Sequence, residues 1–326
     1  MQNTGNSVAF INAQQYDTFI LENLPAFQLP EGMWRDVSMF GSGTTLNIKA
    51  IGDVTLQDME EDQDPTFTPI DSNTLTLTIT DWPGDAWYVT DKLREDGTQV
   101  DALISARAMA ATRALAEYHE SRFLYAAATG QTATNVGLVN GRPHRWIAGG
   151  SGVTNRRMSM ADFIAMKLAF DKANVPAEGR IAIVDPIVEA SLNSLTNITN
   201  VSNNPMFEGI ITDGSARGHK FVKNISGWDI WTSNLLPTKT ATEALNASSY
   251  NLANTTAQIG DVMNLFMCVA DDNTKPVMHA TRRAVKTETW RDPNKERDNY
   301  KTTSRFGFGI QRLDTLGVII TDSATY

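Results

Sequence analysis

The segment Ala169-Phe-Asp-Lys-Ala-Asn-Val-Pro-Ala-Glu-Gly-Arg-Ile-Ala-Ile-Val-Asp-Pro186 decides the fold class. Its first residues close a helix that starts after Ser159 and runs to about Ala173, with Phe163, Met166, Leu168 and Phe170 as the expected core side chains. Pro176-Ala-Glu-Gly179 is a turn, because proline and glycine punctuate the helical pattern. Arg180-Ile-Ala-Ile-Val-Asp185 is then a short, continuous apolar run, too short for a helix and rich in β-branched residues, which reads as a buried strand. Pro186 opens the next helix, since the first helical position needs no N–H. Helix, turn, buried strand and helix in one short stretch describe an α/β lobe.

Toward the C-terminus, Phe221–Ser226 and Trp228–Ser233 read as strands around Gly227. Residues 238–260, rich in Thr, Ala, Asn and Ser, read as a surface insertion. Residues 263–270 are another buried strand, in which Cys268 is a small buried hydrophobe rather than a nucleophile. The end is β again, 277–290 and 301–320, around the charged turn Arg291-Asp-Pro-Asn-Lys-Glu-Arg-Asp298. The strands beside the α/β lobe make the chain α+β overall.

Toward the N-terminus, the glycine-rich residues 130–157 form a long loop or a small hairpin. Residues 99–128 are one long alanine-rich helix, about 42 Å at 1.5 Å per residue, with Val100, Leu103, Ile104, Ala108, Ala111, Leu115 and Tyr118 on one stripe. Asp96-Gly97-Thr98 supplies a turn and cap before it. Residues 45–57 and 73–80 are strands; Leu75, Leu77 and Ile79 alternate with threonines. Between them, Asp58-Met-Glu-Glu-Asp-Gln-Asp-Pro65 reads, with Pro69, as an exposed acidic tip. A two-stranded hairpin is marginal in water by itself, so it needs a surface to lie on. Residues 1–40 read as an extended arm with apolar patches that packs on the rest of the chain or on a neighbour.

Composition narrows the function. The 326 residues carry 28 basic and 37 acidic side chains, a net charge of −9, which argues against a surface that coats DNA. One cysteine excludes an internal disulfide and a cysteine-based zinc site. The start Met1-Gln-Asn-Thr-Gly-Asn-Ser7 has neither basic nor apolar character, so no secretory leader is expected. No apolar run approaches the ~18 residues that span a bilayer, and a reducing, cytoplasm-like compartment is expected. His119, His144, His219 and His279 fall in no metal or catalytic motif and read as partly exposed polar residues. The sequence has no nucleophile elbow and no P-loop, and the glycines at 149–152 read as a flexible loop. The carboxylates Asp58, Glu60, Glu61, Asp62 and Asp64 lack calcium-loop spacing. They read as a solvated turn or as a patch that meets basic residues of another subunit, for which Arg156-Arg157, Arg282-Arg283-Lys286 and Lys295/Arg297 are available.

The order of parts resembles the major capsid proteins of tailed bacteriophages, the Hong-Kong-97-type fold, over nearly the whole chain. The segment quoted first is similar to the helix, "VP" turn, basic residue, strand and "DP" helix start of podovirus-type members. The stretch from Met278-His-Ala-Thr-Arg-Arg-Ala-Val-Lys286 to Phe306-Gly-Phe-Gly-Ile310 is similar to their closing strands. The resemblance implies an N-terminal arm at 1–40, an extended hairpin at 41–92 and a peripheral lobe at 93–157 with its spine helix at 99–128. It further implies an axial α/β lobe at 158–275, with the insertion at 238–260, and returning peripheral strands at 276–326. It implies a non-enzymatic subunit, without cofactor or metal, that assembles into pentamers and hexamers of an icosahedral shell around packaged double-stranded DNA. Its implied partners are copies of itself, a scaffolding protein, a portal protein, a decoration protein and weakly held DNA, without a membrane, in a virion assembled in the bacterial host cytoplasm. Glu60, Glu61, Asp62 and Asp64 are expected to face Arg282, Arg283 and Lys286 of a neighbour. Lys49, the only lysine within 41–91, lies near the base and not at the tip, which argues against a covalent lysine–asparagine cross-link. The alternatives are an encapsulin-type shell around protein cargo and, from another class, a metal-dependent α/β enzyme using the acidic cluster.

Overall fold

The computed structural model describes residues 29–322 apart from 31, 40–42, 52–55, 60, 63, 65–71, 98–99, 132–137, 150–155, 194–219 and 246–255. In chain order the elements are β1 (Arg35–Asp36), β2 (Thr45–Ile51), β3 (Ser72–Thr78), β4 (Gly84–Thr90), α1 (Asp91–Asp96), α2 (Val100–Gly130), β5 (Leu138–Val139), β6 (Arg142–Pro143), β7 (Arg145–Ile147), α3 (Met160–Lys172) and β8 (Arg180–Val184). There follow α4 (Pro186–Asn193), β9 (Lys220–Ile225), β10 (Trp228–Thr232), β11 (Glu243–Ala244), β12 (Thr256–Ala257), β13 (Val262–Cys268), β14 (Val277–Asp292), β15 (Arg297–Ile310) and β16 (Leu316–Thr321).

Two sheets carry the molecule. One has six strands in the order β7-β16-β13-β8-β10-β9, and the other has four in the order β1-β14-β15-β4. Strand β8 shows why the first is a core. Ile181 and Ile183 enter one apolar cluster with Phe123, Leu124 and Ala127 of α2, while Ala182 and Val184 enter another with Phe163, Met166 and Phe170 of α3. Period-two alternation thus puts apolar side chains on both faces, each covered by a helix. Arg180 closes the preceding turn. It donates to the carbonyls of Pro176 (2.8 Å) and Val175 (2.6 Å), pairs with Asp171 at 2.7 Å, and lies against the rings of Phe170 and Trp228. Asp162 caps α3 by accepting from the Ser159 N–H and from the Trp146 indole N–H.

The structure departs from the sequence expectations in instructive places. Helix α2 forms as expected, but its stripe is buried only in part. Val100, Ala111 and Leu115 are buried, yet Leu103 is 46% and Tyr118 39% exposed, and the deepest contacts come from Phe123, Leu124, Ala127 and Ala128 nearer its end. Leu168 lies on the outer face of α3 at 41% exposure. Strand β2 ends at Ile51, and Leu56 to Met59 are exposed chain without regular secondary structure. The run 301–320 is two strands in different sheets, β15 in the four-stranded and β16 in the six-stranded one. Residues 130–157 contain a small hairpin, β5–β6, turned by Asn140 and Gly141 at positive φ, and then β7 inside the main sheet.

The insertion at 238–260 is not all surface. Leu245 and Ala257 are buried, and Glu243 pairs with Lys239 and, at 2.9 Å, with the buried Arg145. Arg145 also donates to the carbonyls of Ala128 and Gln131, tying the end of α2 to the insertion. The arm up to residue 28, Glu60, Pro65 and Pro69 of the tip, Thr98, His219 and the middle of the insertion lie outside the described residues.

Candidate assembly surfaces

The hairpin β2–β3 pairs Thr45 with Thr78 through Ile51 with Ser72 in unbroken register. Leu77 and Ile79, at or just past its root, are buried against Met278 and Ala280 of β14, and Leu46, Ile48 and Leu75 pack partly against them. The glycines of Phe306-Gly-Phe-Gly-Ile310 make this crossing possible. A Cβ at Gly307 would lie 2.8 Å from the Thr78 carbonyl oxygen and 2.9 Å from Ile79 Cα, and one at Gly309 would lie 2.7 Å from Leu77. The alternation of aromatic residues and glycine at the end of β15 is therefore the seat on which the hairpin rests.

Beyond its root the hairpin runs into solvent. Leu56 and Met59 are 94% and 68% exposed, and Glu61, Asp62 and Asp64 are exposed, Asp62 at φ 68°. Lys49 is exposed opposite Thr74, on the ladder rather than at the tip. The basic candidates stand on another element. Arg282, Arg283 and Lys286 are exposed on β14, where two register shifts interrupt its pairing with β15. Lys286 pairs with Glu288 on its own strand at 2.7 Å. Of the other basic groups, Arg156 is tied to the buried Asp261 at 2.9 Å, and Arg297 lies over the Tyr88 ring. Arg291 pairs with Asp91 and Asp298, and its hydrogen bonds hold the Asp91 carboxyl below the usual carboxylate range.

Strand β14 has a free side. It pairs with β1 only at Met278 and His279, so beyond Thr281 its outer edge meets no strand among the described residues. Val285 and Trp290 are exposed along it, and Trp82 and Tyr88 are exposed at β4. A groove of about 330 Å³ runs between α2 and this sheet, lined by Leu115, Ala116 and His119 on the helix and by Val285 and Phe306 on the strands. Glu120, buried beside the groove, accepts from the Leu29 N–H at 2.9 Å and the Ser233 hydroxyl at 3.2 Å. These two contacts tie the beginning of the described chain to α2, and α2 to the residue after β10.

His119 is partly exposed, as the sequence reading has it, but two other histidines differ from that reading. His144 is fully buried, and His279 is 7% exposed. Burial lowers the pKa of both, that of His279 to about 4. His119 and His279 meet Nε2 to Nε2 at 3.0 Å. Their separation of 160 residues hid this contact; the only local signal was the apolar setting of His279 before Ala280. No group of three or more metal-ligating side chains occurs among the described residues. No described helix is long and apolar enough to cross a membrane.

Residues 72–321 match a family model described as phage capsid protein. Curated protein sequences give no match. Among solved structures the chain is similar to one from Mycobacterium phage Che8, with 15% identity, TM-score 0.64 and coverage of 95% of this chain and 97% of that one. It is similar to the mature capsid of bacteriophage PhiM1, with 13% identity, TM-score 0.71 and coverage of 97% and 93%. It is also similar to the capsid of cyanophage P-SCSP1u, with 18% identity, TM-score 0.65 and coverage of 97% and 95%.

Proposed function

Because the chain belongs to the phage capsid protein family, and is thus a non-enzymatic structural subunit of the virion shell, we propose that it closes this shell by laying its acidic hairpin over the basic β14 strand of a neighbouring copy. One observation carries the reading: among the described residues, a single copy leaves Glu61, Asp62 and Asp64 of the tip, the outer edge of β14 beyond Thr281, and Leu103 and Met109 of α2 exposed. Exposed apolar residues on a spine helix and a strand edge are what a repeated contact buries. Opposite charge on two separate elements then sets which faces meet.

In this reading Glu60, Glu61, Asp62 and Asp64 of one subunit meet Arg282, Arg283 and Lys286 of the next. Residues 158–275 gather around the axes of pentamers and hexamers, while 93–157 and 276–326 form the periphery. The icosahedral shell encloses double-stranded DNA, which a subunit of net charge −9 holds weakly. Assembly uses a scaffolding and a portal protein in the host cytoplasm, and the outer surface is open to a decoration protein.

Charge reversal tests the pairing. Changing Glu61, Asp62 and Asp64 to Lys should lower the yield of closed shells about tenfold or more, as should changing Arg282, Arg283 and Lys286 to Glu, since like charges then oppose each other. Combining the two sets in one chain should restore shells seen by negative-stain microscopy. Normal shells from either reversed set, or no recovery in the combination, would sink the pairing while leaving the family assignment intact.

A further inference from the structure

The joint between the arm, the spine helix and the four-stranded sheet is built on two imidazoles. His119 of α2 and His279 of β14 bring their Nε2 atoms to 3.0 Å, with ring planes 80° apart. At that distance one nitrogen must donate and the other accept, so only one proton fits between them. The Thr281 hydroxyl stands 3.2 Å from His279 Nε2, and Asp36 Oδ1 is 3.9 Å from its Nδ1. This favours the tautomer with the His279 proton on Nδ1, toward Asp36, and the Nε2 lone pair open to the His119 N–H. Trp34 packs on both rings, with centroids 5.4 Å from His119 and 5.8 Å from His279. Phe306 and Phe308 of β15 also lie against both rings, while His119 borders the groove.

The pair holds more than itself. Trp34 directly precedes β1, the short parallel strand that fastens the arm to β14. The Val37 N–H donates to the His279 carbonyl at 2.8 Å, and the Thr281 N–H donates to the Ser38 hydroxyl at 2.8 Å. The strand pairing covers only two residues, so the rings under Trp34 form much of the grip.

We propose that the His119–His279 pair is a proton-operated latch: with both rings neutral it holds Trp34 and β1 against the sheet, and with both protonated it drives them apart and frees the root of the arm. Two N–H groups facing each other at 3.0 Å repel, and two adjacent positive charges in an aromatic box add to that repulsion. The charged groups nearby do not cancel it. Asp36, 3.9 Å from the far nitrogen of His279, favours its charge but less than burial and the neighbouring ring oppose it, Arg35 on the same strand acts on Asp272, the Glu120 carboxylate accepts from Leu29 and Ser233, and Arg283 across the groove adds positive charge. Burial and the neighbouring ring hold the His279 pKa near 4 in the closed state, against about 6.5 when free. Acid therefore favours the open state between those values, and linkage makes opening about 25-fold more frequent at pH 5 than at pH 7.5.

Hydrogen exchange of the amides in residues 29–38 of the natural subunit, corrected for intrinsic pH dependence, reads the latch. Protection at Val37 should fall by about this factor between pH 7.5 and 5. His279→Gln, or His119→Gln if the first variant folds poorly, should make it independent of pH in that window. Unchanged protection in the natural chain, or an equal loss in a variant, would overturn the latch. Imidazole nitrogen spectra of the natural chain supply a second reading: two protonation steps more than one unit apart support the proposal, and two rings titrating independently near 6.5 overturn it.

Discussion

The two sheets of this protein obey the same strand chemistry and reach opposite ends. In the six-stranded sheet, β8, β13 and β16 are buried along their whole length, and their polar side chains are matched: Asn264 takes the Asp185 N–H and gives hydrogen bonds to the Ile319 carbonyl and the Thr321 hydroxyl. In the four-stranded sheet, β14 is buried for four residues and exposed from Arg282 to Arg291. The first sheet is finished within one chain. Among the described residues, the second has one side and one edge to spare, and the hairpin lying on it buries its root only against that sheet. In the reading proposed above, a fold that completes one sheet and leaves the other open stores its capacity to assemble in the open one.

The comparison can be broken most sharply at Trp228. Its ring packs edge-on against Phe170 and Phe266 in the finished sheet, and Trp228→Ala should destabilise the isolated subunit by about 3–5 kcal/mol, measured by denaturant unfolding. Gly307→Val probes the boundary between the regions. Its side chain collides with backbone at Thr78 and Ile79, so a cost of about 1–3 kcal/mol and a displaced hairpin are expected, the latter seen as increased proteolysis within 44–80. Trp290→Asp on the open strand should change subunit stability by no more than about 0.5 kcal/mol while reducing shell yield. If Trp290→Asp unfolds the subunit instead, the outer half of β14 is not a spare surface.

Acid sharpens the contrast by the smallest step. His144 and His279 both have lowered pKa values, so the unfolded chain binds more protons than the folded one below about pH 6.5. Subunit stability should therefore fall as pH drops through that window, and for His279 it should level off below about 4. His144→Gln should reduce that dependence, read from unfolding midpoints at pH 7 and pH 5.

What the sequence made legible follows the same division. The stretch around Arg180 and Pro186 was readable because turn, strand and helix start each have local causes within a few residues. The long helix was readable from composition, but its partial burial was not. Periodicity marks an apolar stripe without saying whether the same chain or another covers it, which is why Leu103 and Tyr118 were expected inside. The role of Glu243 was hidden because its partner Arg145 is 98 residues away, and polar composition alone made the insertion look superficial. The His119–His279 contact was invisible for the same reason. The assignment of 301–320 to one strand failed because a β run carries no mark of where the chain leaves one sheet for another. The acidic tip and the basic strand were both visible as charge patterns, and the structure puts both at the surface on different elements.

The glycine seat under the hairpin has a mechanical consequence. The paired part of β2–β3 is about 23 Å long at 3.3 Å per residue, and it is gripped near one end. It is a lever with its fulcrum at Gly307 and Gly309, where the absence of side chains lets one ribbon roll on the other. A tilt of about 10° at the fulcrum carries the far end through about 4 Å, roughly the spacing of neighbouring strands. In the shell proposed above, subunits with one unchanged core thereby reach differently angled neighbours, and the tolerance of that closed surface to two kinds of ring comes down to two missing methyl groups.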